Sequence, residues 1–182
     1  MLKSNWQAGA LCVALLLLAG CAREEQPAPV PPTAEYRPSP RFVPGQGVPA
    51  ATYIAEAGSI ELFIIGSSEL ALQRSASQRM RDFASTMIAT HKGTSAELSL
   101  AGRRLNLLLS AALNGKHQAM LNELAEAPDF DATYRRQQLE VHREALTLHA
   151  TYAAHGASPT LRPVASAILP VLQRDMRLLQ YL

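Results

Sequence analysis

Three side chains combine metal-ligating chemistry with a place on an apolar helical stripe: His91, His142 and Asp175. His91 follows Met87 by four residues and precedes Leu98 by seven. His142 precedes Leu146 by four and His149 by seven, and Asp175 follows Leu172 by three and precedes Leu179 by four. Such spacings bring side chains to one face of an α-helix, so each of the three is expected to face inward. A buried imidazole or carboxylate without a partner is costly, so the three are expected to meet. An Asp–His hydrogen bond would satisfy both groups and fix the helix register, with no cofactor. The alternative is a single transition metal held by two imidazoles and a carboxylate, a donor set that suits zinc, copper or iron.

Other chemistry finds less support. A di-iron bundle needs Glu-x-x-His on two helices, but Ile88 and Leu139 stand three residues before the two histidines. Met80, Met87 and Met176 recur among apolar residues and read as core filler rather than a cuprous cluster. Ser67, Ser68 and Ser75 lack a nucleophile elbow. The paired carboxylates Glu24 and Glu25 fall in a proline-rich stretch that would not hold them rigidly. His117, at the start of a short helix, is expected to be without function, and His149 and His155 to be partly exposed. A net charge of +2, with basic pairs only at Arg103-Arg104 and Arg135-Arg136, offers no nucleic-acid footprint.

The helices that must position these groups begin near residue 50. Apolar residues recur at three and four, as amphipathic helices require. A first helix is expected over 51–75, interrupted by Gly58 and Gly66, which could allow close packing. A second runs over 78–103 behind a Ser77 cap. Asn114-Gly115 marks a turn before a short helix over 116–127. A third long helix is capped by Asp129 or Asp131 and stopped by Gly156. A fourth, capped by Ser158 with Pro159 at its first position, runs to the C-terminus with Pro170 inside it. The fold class expected is all-α: an antiparallel four-helix bundle over 50–182, with a short extra helix between its second and third long helices.

The N-terminus carries an address. Lys3 precedes an apolar run from Ala8 to Leu18, too short for a comfortable membrane span and of the length of a signal-peptide core. Leu18-Ala19-Gly20-Cys21 then resembles the lipobox of bacterial lipoproteins. That resemblance implies cleavage before Cys21 and acylation of its thiol, leaving no free cysteine, since Cys12 lies in the removed segment. Eight of the twelve prolines fall between Pro27 and Pro49, which predicts an extended, disordered spacer over 21–49. Ala22 stands where an aspartate would resemble an inner-membrane retention signal. The expected location is therefore the outer membrane, facing the periplasm.

Residues 60–182 resemble the bacterial domain-of-unknown-function 4142 family. The stretches that carry the likeness are Leu70-Ala71-Leu72-Gln73-Arg74, Arg81-Asp82-Phe83-Ala84 leading to Met87 and His91, then Tyr134, His142, Leu146 and Gly156, and finally Ala167-Ile168-Leu169-Pro170 with Leu172. The resemblance implies a ferritin-like four-helix fold and no settled activity. This chain departs from the family pattern at several positions. Thr90 and Val141 precede the two histidines where the family has aspartate. Asp175 stands where it often has histidine, and first-helix acids are replaced near Ile65 and Gly66.

Together these features describe a lipid-anchored envelope protein, more a binding or stress-related bundle than an enzyme, with envelope proteins or peptidoglycan as possible contacts. The alternative is a metal- or small-ligand-binding bundle that uses the inward histidines. Mass spectrometry of the mature protein is expected to find an acylated Cys21 at its N-terminus. An unmodified thiol there would contradict the lipoprotein assignment.

Overall fold

The computed structural model describes residues 47–182. The expected cleavage site, Cys21 and most of the spacer lie outside the described residues. Five helices follow in order: α1 (Ala50–Arg74), α2 (Gln78–Arg103), α3 (Gly115–Glu126), α4 (Phe130–His155) and α5 (Leu161–Leu179). Among the described residues no helix is long and apolar enough to cross a membrane.

The four long helices form a closed ring in which α1 packs on α2, α2 on α5, α5 on α4 and α4 on α1. Neighbours run antiparallel. The start of α1 meets the end of α4 through Tyr53 and His149, and its end meets the start of α4 through Ser68 and Tyr134. Arg79 at the start of α2 reaches the Tyr181 carbonyl just beyond α5. Short joints close the α1–α2 and α4–α5 hairpins. The α2–α4 connection must instead cross the length of the bundle, roughly 35–40 Å for a 26-residue helix. The extra helix is part of that crossover: α3 lies over the seam between α1 and α4. One long crossover is the connectivity of ferritin-like bundles.

The core follows a repeat of three and four on every helix. Tyr53, Ala57, Glu61, Ile64, Ser68 and Ala71 line α1, while Met80, Ala84, Met87, His91, Thr94 and Leu98 line α2. Tyr134, Gln138, His142, Ala145, His149 and Tyr152 line α4, and Leu161, Ala165, Ile168, Leu172, Asp175 and Leu179 line α5. This alternation keeps one stripe of each helix on the seam. Leu72 falls outside this repeat and is 41% exposed.

The helix ends hold where a short polar side chain is placed to cap. Ser77 accepts from the Met80 N–H, Asn114 from His117 and Asp129 from Ala132, each satisfying a donor of the first turn. Ser158 caps differently from expectation. Its backbone carbonyl, not its hydroxyl, receives Leu161 and Arg162, because a turn over Pro159-Thr160 delays α5 to Leu161. Gly156 does end α4, yet in extended rather than left-handed backbone, with φ −62° and ψ 141°. Glycine is needed there because a Cβ would collide with the Tyr152 ring. Of the two glycines in α1, Gly58 allows close packing: a Cβ would stand 2.9 Å from the Ser110 nitrogen of the crossover. Gly66 faces only the Leu121 side chain at ordinary contact distance. Asn106 takes the left-handed conformation, φ 56°, that ends α2 and turns the chain into the crossover.

A buried two-histidine, two-carboxylate layer

Halfway along the bundle the apolar seam gives way to a polar layer with one group from each long helix. Glu61 comes from α1, His91 from α2, His142 from α4 and Asp175 from α5, and all four are at most 1% exposed. His91 Nδ1 donates to Glu61 Oε2 at 2.9 Å, and Thr94 Oγ1 donates to the same oxygen at 2.5 Å. The other face of the ring, Nε2, stands 3.7 Å from Asp175 Oδ2, a distance for an ion pair rather than a hydrogen bond. His142 Nδ1 donates to the Gln138 carbonyl at 2.8 Å. Since a carbonyl only accepts, this bond fixes the tautomer and leaves Nε2 with its lone pair. The two imidazoles meet edge to face, with ring centroids 5.4 Å apart.

The apolar spacing places His91, His142 and Asp175 on inward stripes, and the structure brings them together. One ligating atom from each lies within 4.8 Å of the others. Glu61 is the member of the layer that the sequence does not single out. The family's first-helix acids are replaced near Ile65 and Gly66, and an acid is supplied one turn earlier. The signal was available: Glu61 is the sole charged residue between Glu56 and Glu69, and it keeps step with Ala57 and Ile64. Of the other departures, Thr90 accepts a hydrogen bond from Arg174, and Val141 is buried among apolar residues.

One further histidine corrects the expectation, and another has a structural role. His149 is fully buried, not partly exposed; its Nδ1 pairs with the Tyr53 hydroxyl at 2.9 Å. Tyr53 also stacks on Tyr152 with centroids 3.8 Å apart. His117 is likewise fully buried and acts as a pin for the crossover. Its Nδ1 meets Ser59 Oγ of α1 at 2.7 Å, and its Nε2 stands 3.5 Å from Glu144 Oε2 of α4. Glu144 is drawn down to about 2 by His117 and Lys116, against the effect of burial. His155 alone among these keeps the exposure expected of it.

The layer splits its histidines electrostatically. Burial acts to lower the His91 imidazole, but the Glu61 and Asp175 carboxylates on its two sides outweigh it and hold the group at about 9. His142 has no carboxylate bonded to it; burial, aided by the nearby charge of His91, lowers it to about 4. Burial takes His149 to about 4 as well. Asp175 is lowered despite burial by His91 and Arg174.

These shifts fix how stability responds to pH. An unfolded imidazole titrates near 6.5. From there up to about 9 the folded chain keeps a proton on His91 that the unfolded chain has lost, so stability falls as pH rises. From 6.5 down to about 4 the unfolded chain gains protons that folded His142 and His149 refuse, so stability falls as pH drops. In chelator the Tm is expected to peak near pH 6.5, and His91→Gln to remove the alkaline limb while keeping the acid one. A wild-type Tm that stays level between pH 6.5 and 9 would rule out a charged His91 in this layer.

Comparison with known proteins bears on the fold and the family. Two solved forms of CopM are similar. The Cu(II)-bound form shares 17% identity at a TM-score of 0.62, covering 73% of this chain and 94% of that one. The apo form shares 16% at 0.60, covering 73% and 94%. A DUF305 fragment from Deinococcus radiodurans shares 13% at 0.62, covering 78% and 96%. At such identities the likeness shows a common helical-bundle fold. No curated protein matches the chain. The family described as "Domain of unknown function (DUF4142)" matches residues 44–182, which take in the whole described bundle, and the chain belongs to that family.

Proposed function

We propose that this bundle holds one divalent transition-metal ion, with His91 Nε2, His142 Nε2 and Asp175 Oδ2 as its ligands. The observation that carries this reading is the set of unpaired atoms. These three, buried and converging, have no hydrogen-bond partner. His91 Nε2 and Asp175 Oδ2 at least face each other as an ion pair at 3.7 Å, whereas His142 Nε2 has neither bond nor counter-charge, and a buried polar atom left so costs about 1–3 kcal/mol. A shared cation removes the penalty.

The outer contacts support the same reading. Ligating histidines usually donate their other nitrogen to a carboxylate or carbonyl, which fixes the ring and its tautomer. Here Glu61 takes that place on His91 and the Gln138 carbonyl takes it on His142. Arg174 occupies Oδ1 of Asp175, so Oδ2 is the oxygen left facing the two imidazoles. Ligands around a zinc-sized ion stand about 3–3.5 Å apart given bonds of about 2.1 Å. Side-chain shifts on the order of 1 Å would therefore close the set. Nitrogen and carboxylate donors without sulfur favour Zn(II), Cu(II) or Fe(II) over Cu(I) or Ag(I). CopM, of similar fold, has been solved with copper and with silver. That adds a metal-binding neighbour without assigning this chain's ion or ligands. With every ligand buried, the layer fits holding an ion better than turning over a substrate. In this reading Cys21 and the proline-rich spacer, proposed from the sequence, would carry the domain at the envelope membrane.

Calorimetric titration of the untagged chain with Zn(II) and Cu(II) is expected to give one ion per chain. His142→Ala, which strands no buried charge, should abolish binding while circular dichroism shows retained helix, and His91→Ala and Asp175→Asn should abolish it at a lowered Tm. Glu61→Gln should weaken it by about 10–100-fold, as loss of an outer-shell partner does. A wild-type chain that binds neither ion, or ligand variants that bind as it does, would contradict the proposal.

A further inference from the structure

One charged group of the layer is not buried. Arg174, beside Asp175 in sequence, is 49% exposed. Its Nε and Nη2 donate to Asp175 Oδ1 at 3.1 and 2.9 Å, and Nη2 also donates to Thr90 Oγ1 on α2 at 2.9 Å. The guanidinium thus straddles the seam between α5 and α2, clamped on one side by Thr90, which adjoins the proposed ligand His91, and on the other by Asp175, itself a proposed ligand. The contacts of His91 and His142 run to groups that are themselves buried. Asp175 is the member of the layer joined directly to a half-exposed side chain, so Arg174 links the layer to solvent.

We infer that Arg174 is the gate and resident counter-charge of this site, and that a divalent cation enters between α2 and α5 as the guanidinium swings out. The inference rests on the metal-binding reading. The chemistry follows from like charges in a poorly screened place. A guanidinium on one oxygen of Asp175 repels a dication approaching the other, because both compete for the same carboxylate charge. The long flexible stem and half-exposed head of Arg174 allow it to leave into water, and its outward move removes a positive charge as the ion brings two. Two interactions therefore hold the gate shut: the charge pair with Asp175 and the neutral bond to Thr90. They can be removed separately.

The test is stopped-flow exchange of Zn(II) between the full chain and a chromophoric chelator. Arg174→Gln, which loses both clamp and charge, is expected to take up zinc about tenfold faster or more and to bind it more tightly at equilibrium. Thr90→Val, which loses only the α2 anchor, should speed uptake and release together and leave the affinity nearly unchanged. Arg174→Lys, which keeps the charge without the fork, should fall between wild type and Arg174→Gln in rate. Rates and affinities equal to wild type in both Arg174→Gln and Thr90→Val would overturn the gate while leaving the metal site standing. A wild-type chain that takes up no zinc would overturn both. If Arg174→Gln fails to keep its helix content in chelator, Thr90→Val decides: unchanged exchange rates there overturn the gate.

Discussion

The bundle depends on one constraint: an imidazole in its centre is flanked by two carboxylates from two other helices. Glu61 reaches His91 from α1 and Asp175 reaches it from α5, all out of contact with water. Removing one member of such a set leaves a buried charge uncompensated, which is far more damaging than never having placed it there. The register of α1, α2 and α5 is therefore tied to this layer, since a slip of one residue would turn a charge toward leucine and alanine. The fourth helix joins through His142, whose neutrality is set by burial and by the neighbouring charge. A repeat of three and four presents each group at one height, so ordinary bundle packing assembles the layer.

Most of the framework was legible in the sequence because it rests on local rules. The polar caps at Ser77, Asn114 and Asp129 bind the N–H groups that their spacing implies. The apolar repeats place His91, His142 and Asp175 inward, and the need for partners says that they should meet. What escaped was non-local. Glu61 is a strong local exception, a lone charge in an apolar run, but its partner lies 30 residues away. His117 and His149 look like surface residues by type. Their burial comes from contacts across 58 and 96 residues, to Ser59 and Tyr53. Gly156 reads as a left-handed stop, and only the position of the Tyr152 ring reveals why a side chain is excluded.

The structural likenesses agree on a helical bundle, and with the family match they leave its chemistry to be read from the side chains. A purely structural layer explains the Glu61–His91 bond well and makes His91 a charged strut. It does not explain why His142 turns a lone pair with no acceptor role toward Asp175 and His91. A cation at that point accounts for His142 and for the orientation of all three unpaired atoms. The neutral state of His142 also leaves it ready to ligate at ordinary pH, whereas His91 must give up its Nε2 proton to an incoming ion.

The most direct test of this claim is the anomalous diffraction of crystals soaked in Zn(II), recorded on both sides of the zinc absorption edge. The account predicts one strong peak in the core, about 2.0–2.2 Å from His91 Nε2, His142 Nε2 and one oxygen of Asp175. Glu61 should still be bonded to His91 Nδ1. A core without a peak, with His91 lying between its two carboxylates and zinc bound only at surface side chains, would contradict it.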